Sequence, residues 1–426
     1  MTFNKITGFI FLLILFFTAA CSNNKDYKGK KVSVLKTAEG YQILRNGKPF
    51  LIKGASGGYY FEELKSAGAN TVRLYDTLAL KQKLDLADSL GLAVIVDIPL
   101  QIKNMNYIDP DAIVWISEFV NTYKNHPALL SWMLGNEVYF PQLLSNIVTL
   151  KFNNILDEIH RLDPNHPVST AVSTGAVKEI LAIKLKSPNI DFISINVFGR
   201  INDFKSIKQL LFLWQGPYLL SEWGNNGPWE SNTTTWQASL EQTSTKKAEE
   251  FRNRYINVID KIDDGRLLGS LAFYWGQKQE TTHTWFSLFD EQGLKSQVVH
   301  ELKNVWSVKE DNYKGPEIKK LLLNKKEGWH NMVFTPNDIL KGDVFLGDEE
   351  GNYEFQWQIL PEKWFKSSYD EVNFNQDELI VNEEGTSVLF KCPEIEGPYR
   401  LHYKITNETG YFATANIPFY SMNKIK

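Results

Sequence analysis

Between about residue 50 and residue 307, short apolar or β-branched runs alternate with amphipathic stretches of helical period, eight times over. The strand candidates are Pro49–Gly54, Asn70–Leu74, Ala93–Ile98, Leu129–Gly135, Val168–Thr174, Phe192–Asn196, Pro217–Ser221 and Leu268–Trp275. The helix candidates are Tyr60–Ala67, Ala79–Leu90, Pro110–Tyr123, Leu150–Leu162, Ala176–Lys186, Phe204–Trp214, Ser244–Ile262 and Ser296–Val305. In the fourth helix, Phe152, Ile155, Leu156, Ile159 and Leu162 share one face. This rhythm predicts an α/β chain with a (β/α)8 barrel, a fold of about 250 residues. A doubly wound open sheet is the competing arrangement, but no Gly-rich phosphate loop follows the first strand. Upstream, Tyr41–Leu44, Asn46-Gly47 and Phe50–Lys53 read as a hairpin on an Asn-Gly turn. It either plugs the barrel floor or leads into the first strand.

The texture changes at both ends of this region. After Asp311-Asn312-Tyr313-Lys314-Gly315-Pro316, strand-like runs such as Asn352–Leu360, Ser387–Lys391, Tyr399–Thr406 and Phe412–Phe419 sit between turn clusters. They predict an all-β, Ig-like or fibronectin-like sandwich over residues 316–426, behind a barrel that takes 41–310 with its hairpin. At the start, Lys5 precedes an apolar run, Ile6 to Phe17, and then Thr18-Ala19-Ala20-Cys21. The run is short for a bilayer span, and its order is that of a secretory signal. A cysteine directly after the small residues resembles the bacterial lipoprotein signal. That resemblance implies a leader over 1–20, lipidation of Cys21 and a polar tether over 21–40. The protein is then expected to be exported and anchored to a membrane, on the periplasmic side or at the cell surface. Cys392 would be left alone, so no intramolecular disulfide is expected.

Composition excludes several classes. With 46 basic and 50 acidic side chains the net charge is −4, and the basic face of a nucleic-acid protein is missing. The seven histidines make no HExxH or paired-ligand spacing, so no metal and no cofactor are expected. The excess lies in aromatic residues, 13% of the chain. A large core accounts for it as well as a surface that stacks on sugar rings.

In a barrel, chemistry collects where strands end at the carboxyl face. There the sequence places Arg73-Leu74-Tyr75-Asp76 after strand two, Gly135-Asn136-Glu137 after strand four and Asn196-Val197-Phe198 after strand six. Ser221-Glu222-Trp223-Gly224 follows strand seven and Tyr274-Trp275-Gly276-Gln277 follows strand eight. Glycoside cleavage needs two carboxyl groups flanking one bond, and the ends of strands four and seven can aim two into one cleft. Each Glu taken singly reads equally well as an acid answering the next helix's dipole.

These landmarks resemble the retaining glycoside hydrolases of clan A, closest to the family 2 TIM-barrel domain, with family 5 second. The resemblance implies Glu137 as general acid/base, Glu222 as nucleophile and Asn136 on the sugar 2-hydroxyl. It also implies that Arg73 holds Glu222 ionised while Glu137 is raised, and that Trp275 floors the sugar site. Relatives commonly carry a His or Tyr after strand six to touch the nucleophile, where this chain has Asn196. Tyr75, Tyr139 or Tyr274 can substitute, or Arg73 acts alone. Trp223, Trp229 and Trp285, with Tyr274 and Gln277, are expected around the substrate.

The reading is therefore a retaining β-glycoside hydrolase acting on an oligo- or polysaccharide. A β-glucan-type transglycosylase and a non-catalytic glycan-binding lipoprotein are the alternatives. A third possibility places glycan binding on the sandwich, through Trp329, Trp357 or Trp364.

Overall fold

The computed structural model describes residues 30–100, 102–103, 107–108, 111–138, 146–174, 177–203, 211–307, 310–347, 351–362 and 378–423. The apolar leader, Cys21, Tyr139, Trp364 and residues 204–210 of a candidate helix lie outside these.

Eight parallel strands close into a barrel: Ile52–Ser56, Thr71–Leu74, Ala93–Ile98, Leu129–Asn136, Val168–Ser173, Phe192–Asn196, Tyr218–Trp223 and Leu267–Phe273. Each pairs with the next in sequence, and the eighth pairs back to the first. The strands read as apolar runs because both faces are covered. On the third, Ala93 and Ile95 join the barrel interior with Leu130, Phe192, Leu219 and Leu268, while Val94, Val96 and Ile98 face the outer layer. Helices Phe61–Ser66, Leu80–Ser89, Ala112–Tyr123, Asn146–Leu162, Val177–Lys186, Ser244–Asn257 and Gln297–Trp306 make up that layer among the described residues.

The upstream segment both plugs the barrel floor and leads into the first strand. Its return arm is Lys48–Pro49 and not Phe50–Lys53, since Ile52 and Lys53 already pair within the barrel. Tyr41–Arg45 pairs antiparallel with Val32–Lys36 and turns at Asn46 and Gly47, whose φ values of 51° and 74° suit an Asn-Gly turn. Val32 and Ile43 then pack into the interior cluster from below, and Phe50 carries the chain into the first barrel strand.

The C-terminal region is all β, in a five-stranded and a four-stranded sheet over one core, the fifth strand being Val333–Phe334 beside Tyr411–Ser421. One sheet runs Lys295–Ser296, Tyr411–Ser421, Gly397–Asn407, Tyr353–Pro361; the other runs Ile318–Leu323, Ile339–Leu346, Ser387–Lys391, Ile380–Glu384. Leu323, Leu340, Ile359, Phe390, Leu401 and Phe419 fill the space between them, with Cys392 among them. Trp357 is buried here against Tyr403, whereas Trp329 is exposed and stacked on His330.

The barrel and the sandwich share structure. Lys295–Ser296 leaves the barrel's last loop and pairs with Tyr411 and Phe412 as an added strand. Beside it Glu241, fully buried, takes Lys247, Thr282, Thr284 and, from the sandwich, Asn416. Burial opposes its charge, but Lys247, the Thr282 hydroxyl and the charge of Arg400 hold the carboxyl down to about 2. Arg400 of the sandwich joins Glu362, Asn416 and the Ser239 carbonyl.

Candidate active site

Irregular strand ends build the site. Strict alternation along Tyr218–Trp223 points Leu219 and Ser221 inward and turns Glu222 out. Register shifts against both neighbouring strands intervene, so Glu222 lines the cleft while the buried Ser221 keeps its hydroxyl on Asn196. Re-aiming of this kind is what an irregularity at a barrel rim does. The fourth strand ends similarly, with Gly135 at φ 75° and Glu137 at φ 51°. A Cβ on Gly135 would lie 2.2 Å from Val138, so only glycine fits there. Glu137 holds a left-handed conformation uncommon for a non-glycine residue, a strain that clusters at functional sites.

Side chains from five strand ends form one network. Arg73 Nη1 donates to Glu222 Oε1 at 3.0 Å, and Tyr75 donates its hydroxyl to the same oxygen at 2.9 Å. Arg73 Nη2 reaches Asn136 Oδ1 at 2.8 Å. Asn196 Nδ2 reaches Asn136 Oδ1 at 3.1 Å and Glu137 Oε1 at 2.9 Å. Ser221 Oγ holds Asn196 Oδ1 at 2.8 Å. The remaining face of Arg73 is taken by Asp97. A continuous chain of hydrogen bonds thus links Glu137 to Glu222, and both line one cleft of about 680 Å³.

The two carboxyl groups differ in setting. Glu137 is exposed to the cleft, and Glu222 is 6% exposed. Burial pushes Glu222 up to about 7; Arg73 and the Tyr75 hydroxyl pull it down, and the charges of Glu137 and Asp97 add to the rise. Arg73 therefore acts on Glu222 in the direction expected of it, with burial acting against it. The guanidinium does reach it, but answers Asp97 as well, and burial outweighs what is left.

The expected contact from after strand six comes from Tyr75 at strand two. Asn196 holds the acid/base candidate instead. Tyr274 stacks on Tyr75 beside the cleft, and Trp229 is 61% exposed on the cleft wall, edge-on to Phe198. Four other candidates are corrected. Trp275 is fully buried behind the barrel wall, packed on Phe289 and Trp306, with its indole N–H on the Tyr60 carbonyl. Trp223 is buried against Phe251 and Tyr255, because the register shift that turns Glu222 inward turns its neighbour outward. Trp285 is buried and donates to the Asn226 carbonyl. Gln277 pairs with Glu291 on the side facing the sandwich. Phe198 and Phe273 supply the apolar wall in their place.

Glu230 is a latch. It accepts from the backbone N–H groups of Gly199, Arg200 and Gly227, tying the loop after strand six to the loop after strand seven. Asp97 escaped the sequence reading, although an acid at the inward phase of an otherwise apolar strand is a signal that was present.

An open and a buried carboxyl group face one cleft at the carboxyl ends of barrel strands, an arrangement able to flank a glycosidic bond, on the fold of the (β/α)8 barrels. Comparison with known proteins gives the particular group. The chain belongs to glycosyl hydrolases family 2: the family's TIM barrel domain matches residues 60–294, more than half of the 426. It is 27% identical over 178 residues to a β-glucuronidase of Sus scrofa, covering 37% of this chain and 26% of that one. It is 29% identical over 141 residues to a β-galactosidase of Leuconostoc mesenteroides, covering 27% and 14%. Among solved structures, a β-D-glucuronidase of Dictyoglomus thermophilum superposes with a TM-score of 0.50 at 22% identity, covering 66% of this chain and 54% of that one. β-Glucuronidase 2 of Bacteroides uniformis superposes with a TM-score of 0.50 at 15% identity, covering 92% and 48%. These likenesses show the fold. The chain matches about a quarter of the length of the first curated relative and about half of the solved ones.

Proposed function

We propose that the chain is a retaining β-glycosidase in which Glu137 is the general acid/base and Glu222 the nucleophile. The observation that carries this is the hydrogen-bonded chain from Glu137 through Asn196, Asn136 and Arg73 to Glu222. Both donors on Glu222 go to Oε1, which leaves Oε2 to attack the anomeric carbon. As that bond forms, the glycosidic C–O bond breaks and Glu137 gives its proton to the departing oxygen. Glycosylation removes the charge of Glu222, which lets Glu137 stay ionised and take a proton from water. Water then attacks the anomeric carbon and frees the Glu222 carboxylate. Asn136 accepts twice on Oδ1, so its Nδ2 faces the substrate with protons to give a sugar hydroxyl.

The curated relatives named above are a glucuronidase and a galactosidase. Arg200 and Lys278 line the cleft, the latter beside the Phe273 and Tyr274 rings and paired with Glu280. Arg200, with a Lys278 that turns from Glu280, supports a uronic acid end on the substrate. The leader with Cys21 behind its small residues supports an exported, lipid-held enzyme as part of this reading.

The test uses 4-nitrophenyl β-D-glucuronide, β-D-glucoside and β-D-galactoside, and alkyl glycosides of the sugar that is turned over. Glu137→Ala is expected to lower alkyl glycoside hydrolysis by about 10²–10⁴-fold. Azide should restore turnover of the activated substrate and give the β-glycosyl azide. An α-azide, or full activity without Glu137, overturns the assignment.

The aromatic residues are expected to separate cleanly. Trp229→Ala should lower kcat/KM about tenfold with a nearly unchanged melting temperature, since its ring is mostly exposed and touches the Phe198 and Phe286 rings only at one side. Trp275→Ala should cost about 3–5 kcal/mol of stability, as for any large buried ring. Paired denaturation and kinetic measurements on both variants check this, and the reverse pattern would restore Trp275 as the platform.

A further inference from the structure

Asp97 is 4% exposed on the third barrel strand, in the inward phase of Ala93 and Ile95. A buried carboxylate needs a cation, and Arg73 meets it with a parallel pair of bonds: Nε to Oδ1 at 3.0 Å and Nη2 to Oδ2 at 2.8 Å. The same guanidinium gives Glu222 one bond. One positive charge therefore answers two buried carboxyl groups, and Asp97 takes the better geometry of the two. Burying a single Arg requires only one acid beside it. The second leaves the cluster short of positive charge next to the group that attacks. Asp97 is not among the residues that line the cleft, so its influence on a substrate passes through Arg73.

We propose that Asp97 is a positioning residue for the nucleophile: it fixes the plane of the Arg73 guanidinium and draws part of its field away from Glu222. The inference rests on the reading of Glu222 as nucleophile. A guanidinium serving Glu222 alone would stabilise its anion and make it a poor attacking group. Divided between two acids, Arg73 still aims Glu222 through Nη1 but stabilises the anion less, so the carboxylate that forms is more basic. The other ionisable groups around Glu222 are Tyr75 from strand two, Glu137 from strand four, and Arg200, Glu230, Lys278 and Glu280 from the loops of the cleft. Tyr75 acts in the same direction as Arg73, and Glu137 in the same direction as Asp97. Glu230 is engaged by three backbone N–H groups, and Lys278 and Glu280 pair with each other at 3.4 Å.

The test is Asp97→Asn in the full chain, with kcat/KM followed against pH on whichever 4-nitrophenyl β-glycoside is turned over. Removing one negative charge should move the acid limb down by about one pH unit, with a lower rate at the optimum. A merely structural Asp97 gives a lower rate with the limb unmoved, which overturns the proposal. Asp97→Glu keeps the charge but displaces the fork, so its rate should fall while its limb stays with the parent's. If the Asn variant does not fold, Asp97→Ser makes the same neutralisation with a smaller side chain.

Titration of the Glu222 carboxyl carbon by ¹³C NMR, assigned by difference from Glu222→Gln, reads the charge sharing without turnover. A lower midpoint in Asp97→Asn supports the inference, and an unchanged or higher one overturns it. Labelling with the matching 2-deoxy-2-fluoro-β-glycosyl fluoride keeps the two readings apart. A label elsewhere than on Glu222 overturns the nucleophile assignment, and with it any catalytic meaning of Asp97, while the NMR shift still reports whether the charge is shared.

Discussion

Glu222→Gln is expected to lower turnover by a factor on the order of 10⁴ or more, and at pH 8 to leave a protein more stable than its parent. The first effect follows from removing the attacking oxygen. The second follows from burial, which sets the Glu222 carboxyl at about 7 in the folded state against an ordinary 4.5. Between those values the folded chain holds a proton that the unfolded chain has lost, so stability falls as pH rises through this window. Above it the penalty is complete, on the order of 3 kcal/mol. Gln in the same place carries no charge to bury and still accepts from Arg73 and Tyr75. Melting curves of the two proteins should coincide near pH 4 and separate by several degrees at pH 8, the variant higher. A variant that melts lower at pH 8 would mean that the folded state favours the charged form of Glu222.

The opposite sign is expected for Arg73→Met. Arg73 is fully buried and is the cation that both Asp97 and Glu222 contact directly. Its removal leaves two acids without a counter-charge, at a cost of about 3–5 kcal/mol near neutral pH. The carboxyl groups can escape by taking up protons. The melting temperature of Arg73→Met should therefore lie far below the parent's at pH 8 and approach it as pH falls toward 5. A deficit that stays constant over that range would mean that lost packing, and not unpaired charge, accounts for it. Hydrolysis should be lost as well, since Asn136 and Glu222 both take their orientation from this side chain.

Much of the fold was legible in the sequence for a simple reason. Strands buried on both faces become apolar runs, and Ala93–Ile98 and Phe192–Asn196 appear in the structure residue for residue. The carboxyl pair was legible because acids at the ends of such runs have few other uses. What stayed hidden depends on phase. Glu222 and Trp223 are neighbours, and only a shift of register decides that one meets the substrate side and the other the helix layer. The family resemblance points Trp275 to the cleft and the aromatic loop points Trp285 there, yet large rings near a barrel rim are drawn first into packing between loops and helices. The aromatic excess is mostly core, and of the exposed rings among the described residues Trp229 is the tryptophan on the cleft wall. Asp97 was overlooked because no recognised pattern points to it, although its inward phase was readable from Ala93 and Ile95.

The shared strand Lys295–Ser296 and the Glu241 cluster mean that the sandwich is not detachable cargo. Thr282 and Thr284 belong to the barrel loop that also carries Lys278 and Glu280 into the cleft, and they are moored to the same carboxylate as Asn416 of the sandwich. Cutting the chain near Gly315 would cast off one side of that mooring and leave the loop's footing half undone. Transplanting this barrel onto another scaffold would have to carry the sandwich along, or rebuild the quay to which the loop is tied.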